Sequence, residues 1–163
     1  MRKLAVDFEE IAMAMEEQEG YNRSYLDTHT GEVEVIPYEL SSLESFDEEE
    51  IAKLPKWERD LVPIVQEIQD ESDRYQPIPR VPSYKVYNLM VEFTETVTNR
   101  RLREKLAVAL DGRGAFGRFK RVLGDYPEER ERWFDTKLAA LSEIIREWLN
   151  DLDIEPVQKS FKT

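Results

Sequence analysis

The chain has no cysteine, which excludes disulfides, thiol nucleophiles and cysteine-based zinc or iron–sulfur centres. It has a single histidine, His29, set between Thr28 and Thr30. A general base needs a positioned partner and a metal site needs several clustered ligands, so His29 reads as an exposed turn residue. Serine–histidine–aspartate and His-Glu-x-x-His chemistry have no footing without it. No apolar run approaches the ~20 residues of a membrane-spanning helix, and the stretch Met1–Glu10 meets charge too early for a secretory leader. The carboxylate runs at 44–50 and 67–73 lack the spacing of a calcium loop and read as solvated faces. No metal, cofactor or membrane partner is expected, and the setting these absences suggest is the cytoplasm.

What the chain does have is charge, and the charge is sorted. Its 163 residues carry a net charge of −12, with 40% hydrophobic and 10% aromatic residues to fill a core. Residues 1–73 hold six Lys/Arg against 21 Asp/Glu, whereas residues 99–123 hold eight Lys/Arg against two acids. The acidic total opposes global attraction to nucleic acid, so any such contact is local and weak. Length and composition predict one domain over 1–155: an acidic part (1–73), a proline-rich connector (74–82) and a helical part (83–155), followed by a flexible tail over 156–163.

Hydrophobic spacing predicts a mainly helical α+β fold, with about six helices and a single β-hairpin after the first of them. Asp7 is placed to cap a helix whose stripe is Phe8, Ile11, Ala12 and Met15, ending near Gly20. Glu32-Val33-Glu34-Val35 alternates as a strand, with Asp27-Thr28-His29-Thr30-Gly31 as the turn before it and Pro37 closing the hairpin. Residues 39–53 suggest a short solvated helix or a loop, with Asp47 capping Glu48-Glu49-Glu50. Trp57, Leu61, Ile64 and Ile68 form the next helical stripe, which Pro63 must kink or restart. Ser83 is placed to cap a helix carrying Val86, Met90, Phe93 and Val97. Thr98 or Asn99 then caps one carrying Leu102, Leu106, Ala109 and Leu110. Phe116, Phe119 and Leu123 predict a short helix with both rings in the core. Phe134, Leu138, Leu141, Ile145 and Trp148 predict a long one, with Trp133 also inside.

The segment from Asp111 to Tyr126 concentrates four of the six glycines among cations and aromatics. It matches no phosphate loop, since it lacks a Gly-Lys-[Ser/Thr] ending and follows a helix rather than a strand. Glycines beside arginines still suit an anion, and Arg113, Arg118, Lys120 and Arg121 are the candidate anion-binding residues. No coherent catalytic set emerges, and no catalytic residue is assigned.

Four blocks then carry a resemblance. They are Tyr25-Leu26-Asp27-Thr28 with Thr30-Gly31-Glu32-Val33, Arg74-Tyr75 with Pro77-Ile78-Pro79, Leu110-Asp111-Gly112-Arg113-Gly114-Ala115-Phe116-Gly117-Arg118-Phe119-Lys120, and Glu129-Arg130-Glu131-Arg132-Trp133-Phe134. In order and spacing the chain resembles, over about residues 4–155, the bacterial family called uncharacterised protein family 0158. Gly117 departs from it, standing where the resemblance implies an arginine. The resemblance implies a bacterial cytoplasmic protein and brings no activity with it. The expected function is a non-enzymatic protein-interaction or regulatory module with an unknown protein partner, acting as a monomer or small homo-oligomer. The alternatives are a phosphate or nucleic-acid binder using residues 100–121, and an enzyme working through carboxylates and arginines.

Overall fold

A computed structural model describes residues 1–17, 22–43 and 47–159. Along the chain these form β1 (Arg2–Val6), α1 (Phe8–Glu16), β2 (Asn22–Asp27), β3 (Val33–Pro37), α2 (Tyr38–Ser41), α3 (Glu48–Ala52) and α4 (Lys56–Gln69). Then follow β4 (Tyr75–Pro77), α5 (Ser83–Thr96), α6 (Arg100–Ala109), α7 (Ala115–Leu123), α8 (Pro127–Asp151) and β5 (Ile154–Gln158). The α+β class holds, but the described residues contain eight helices rather than about six, because 38–52 supplies two short ones. The chain divides into two compact units, one of residues up to Arg80 plus those from Arg146 on, the other Val81–Ile145.

In the first unit the expected hairpin is present as β2 and β3, paired antiparallel with Leu26 opposite Val33. It is not alone. β4 joins the other edge of β2, with Asp27 opposite Tyr75, so residues read as an unpartnered proline-rich connector are partly a strand. Proline tolerates this because Pro77 ends an edge strand, where a missing N–H breaks no ladder. A second sheet, absent from the sequence reading, pairs β1 with β5 in parallel from Arg2 opposite Ile154 to Val6 opposite Gln158. Residues 156–158 are therefore strand rather than flexible tail, and residues 160–163 lie outside the described set.

α1 starts where its cap predicts, the Asp7 carboxylate accepting from the N–H groups of Glu9 and Glu10, and all four stripe residues are buried. The helix ends at Glu16, and the expected end near Gly20 lies outside the described residues. α4 runs continuously through Pro63 rather than restarting there. Its inward face is Val62 and Val65, which pack with Tyr25, Ile36, Leu40 and Tyr75. Leu61, Ile64 and Ile68 of the predicted stripe pack half-buried against the same cluster, whereas Trp57 is left 57% exposed.

The second unit follows its periodicities closely in α5 and α6, whose predicted stripes are all buried. Pro82, not Ser83, holds the cap position of α5, whereas Asn99 caps α6 by accepting from the Leu102 N–H at 3.1 Å. An aromatic triad sits at the centre: Phe93, Phe119 and Trp133 meet edge to face, with ring centroids 5.3–6.3 Å apart. Phe116 is not part of it and is 44% exposed; Ala115 takes the inward place on α7. On α8, Phe134 is likewise exposed, beneath Arg130 and Lys137 with their charges 5.5 and 5.6 Å from the ring. In the part of α8 that belongs to the first unit, Leu149 is buried and Trp148 half-buried.

Two consequences are measurable. Phe119→Ala should cost about 3–5 kcal/mol in urea unfolding, and Phe116→Ala no more than about 1 kcal/mol. Gly31 has φ +79°, and a Cβ there would lie 1.9 Å from the Ala5 carbonyl oxygen. Gly31→Ala should therefore cost at least about 2 kcal/mol, visible as a lowered thermal midpoint.

Candidate functional site

The basic segment is built around the turn from α6 to α7. Gly112 and Gly114 both adopt positive φ (78° and 79°), which lets the chain reverse within five residues of the Ala109 end of α6. Arg118, one turn into α7, reaches back across that reversal. Its Nε donates to the Ala109 carbonyl at 3.1 Å, its Nη1 to Arg113, and its Nη2 to Asp111 and Gly112. A helix end leaves carbonyls without partners, and a guanidinium fork satisfies several of them at once. Arg118 is thus a staple of its own loop.

A groove of about 600 Å³ lies along α6 and α7. Arg101, Lys105 and Val108 present one face of α6 to it, and Arg118, Arg121, Val122 and Tyr126 supply the other wall. Ala109 and Arg118 line it near the turn, and farther along the Lys105 ammonium stands 5.8 Å from the centre of the Tyr126 ring. Val108 is 74% exposed, an apolar β-branched side chain facing water. Among the described residues Arg101, Lys105 and Arg121 carry no ion pair. Two acids also line the groove, of which Glu104 is paired with Arg100 at 3.3 Å.

Of the four cations singled out from sequence, the groove gathers Arg118 and Arg121. Arg113 is exposed in the turn and Lys120 is exposed on α7, and neither lines the groove. Arg101 and Lys105 complete it instead; their signal was the 4-then-3 spacing of 101, 105 and 108 on the unburied face of α6.

The first unit contains a charged centre that the sequence reading missed. Asp27 is buried at the end of β2, and Arg74, just before β4, meets both its oxygens: Nε to Oδ1 at 3.0 Å and Nη2 to Oδ2 at 2.9 Å. The His29 N–H adds a third bond at 2.9 Å, and the Arg74 carbonyl receives both the N–H and the hydroxyl of Thr28 at 2.7 Å. Burial pushes the Asp27 carboxyl up, but Arg74 and these turn bonds outweigh it and hold it at about 2. Burial, then the charges of Asp27, Glu32 and Glu10, pushes Glu34 up. Beside the pair is a cavity of about 510 Å³ lined by Arg2, Thr28, His29, Asp73, Arg74 and Gln76 together with Leu152 and Ile154. His29 is an exposed turn residue, as its context predicts. Among the described residues no three His, Asp or Glu side chains are placed to hold a metal ion. No helix there is long and apolar enough to cross a membrane.

The sign of the Asp27 effect is fixed by its lowered value. Its contribution is present above the unfolded value of 3.8 and disappears as pH falls to about 2. Asp27→Asn should lower stability at pH 7 by about 2 kcal/mol and flatten the acid limb between those values, read by urea unfolding across pH. In the second unit, Arg118→Lys keeps the charge but loses the fork. It should cost about 1–2 kcal/mol and speed amide exchange in residues 109–114, measured by hydrogen–deuterium exchange.

Comparison with known proteins places the chain in a family. A protein of Pseudomonas aeruginosa named for uncharacterised family UPF0158 is 28% identical over 163 residues, covering all of this chain and 93% of its own length. A UPF0158 protein of Chlamydia trachomatis is 29% identical over 99 residues, which are 60% of this chain and 30% of that one. No solved structure matches. The family model for Uncharacterised protein family (UPF0158) matches residues 2–161, so the chain belongs to that family.

Proposed function

We propose that this protein is a non-enzymatic interaction module whose second unit docks an acidic protein partner in the α6–α7 groove. The observation that carries this reading is the set of unpaired cations, Arg101, Lys105 and Arg121, standing around an apolar strip of Val108 and Val122. Long flexible cations without an ion pair gain from an incoming carboxylate, and the exposed valine gains from being covered. The net charge of −12 opposes association with a polyanion outside this local patch, which favours a protein over a nucleic acid. Lack of cysteine and of a spanning helix among the described residues fits a cytoplasmic module, working as a monomer or small homo-oligomer.

Site-directed photocrosslinking tests this directly. A photoreactive amino acid at the Val108 position should give protein adducts in bacterial cells, and Arg101→Glu/Arg121→Glu in the same background should abolish them while the thermal midpoint stays within a few degrees. Adducts made of RNA or DNA, adducts indifferent to the charge reversal, or no adducts at all would overturn the proposal.

A further inference from the structure

The groove also constrains the conformation and chemistry of what enters it. We infer that its occupant is an acidic amphipathic α-helix, with carboxylates meeting the Arg101, Lys105 and Arg121 rim and an apolar stripe covering Val108 and Val122. This rests on the docking function proposed above.

Three observations support a helix. Both walls are helices, so their backbone N–H and C=O groups are already bonded internally. An extended peptide laid there would find no strand edge to pair with, and its own backbone groups would stay unsatisfied. A helix brings its backbone bonds with it. Then there is length: the α6 face from Arg101 to Val108 covers seven residues, or about 10 Å at 1.5 Å per residue. A partner helix offering anchors at i, i+3 or i+4, and i+7 spans the same distance, whereas an extended chain would cross it in about three residues. Last is the pattern. The α6 side of the groove carries cations at 101 and 105 and an apolar side chain at 108, and the Glu104 between them is engaged by Arg100, so ridges on a third helix can settle between α6 and α7 with their carboxylates outward.

Charge separates this occupant from a single-stranded nucleic acid. Base stacking needs open aromatic faces, and Tyr126 in the groove has the Lys105 ammonium over its ring. Asp125, exposed in the groove lining just past the C-terminus of α7, would repel a phosphate but leaves room for a polar or basic residue at one end of a helix. The occupant should therefore bind in one direction.

Fluorescence anisotropy with three synthetic peptides and an RNA oligomer provides the test, using the full chain at 50 and 200 mM salt. The first peptide is a helical 18-mer with Glu flanking a Leu/Ile stripe. The second has the same composition with two central prolines. The third replaces the Leu and Ile with Ser. The first should bind in the micromolar range and weaken at least fivefold at the higher salt. The second and third should bind at least tenfold less well, and Val108→Ser should weaken the first peptide while leaving the third unchanged. Equal binding of all three peptides would overturn the helix inference and leave the docking function standing. Tighter binding of the RNA, or no binding by any peptide, would overturn both.

Discussion

Asp27 has almost no exposed surface, and a carboxylate in that position is tolerable only because Arg74 meets both of its oxygens. A buried ion is costly to desolvate, and the cost is offset only by near-complete hydrogen bonding. Here the requirement organises much of the first unit. Holding Arg74 at Asp27 brings the following residues alongside β2, which makes β4 a strand and sets Tyr75 into the cluster with Ile36, Leu40 and Val65. The same carboxylate shapes the turn before β3, accepting from the N–H groups of His29 and Thr30, and the turn in turn brings Gly31 against the Ala5 carbonyl of β1. Removing either partner would leave the other charged and under-bonded, so these contacts stand or fall together.

The second unit uses the same device with a different acceptor. Arg118 binds backbone carbonyls of its own turn, where Arg74 binds a carboxylate and ties the start of β4 to the end of β2. Arg132 does similar work on α8, bonding Glu129 and the Thr96 hydroxyl with its guanidinium 4.2 Å from the centre of the Phe93 ring. All three belong to the blocks through which the chain resembles its family, so part of that resemblance is architecture. The groove cations without an ion pair, Arg101, Lys105 and Arg121, lie outside those blocks.

How much of this was legible in the sequence follows from the range of each interaction. Local signals were faithful: the Asp7 and Asn99 caps, the buried stripes of α5 and α6, and the hairpin turn depend on residues only a few positions apart. Errors cluster where a distant partner decides. β1 and β5 are short strands of few residues whose pairing is parallel and remote, so no turn announces them. Adjacent aromatics such as Trp133 and Phe134 lie about 100° apart on a helix, and only the position of Phe93 and Phe119 decides which turns inward. The basic surface was visible as composition, but which cations stay free was not. Arg118 is indistinguishable from Arg121 until the glycine turn folds beneath it.

The pairing of β1 with β5 has a consequence for how the protein comes into being. On the ribosome, β1 emerges before its partner β5, with the whole of 81–145 made in between. The second unit is one uninterrupted stretch and can condense during synthesis from contacts close in sequence. The first unit cannot finish its two-stranded sheet until β5 arrives, and the β1 edge that pairs with it stays open in the interval. Nascent chains would therefore pass through a period in which the helical segment is formed and the sheet that spans it is still open.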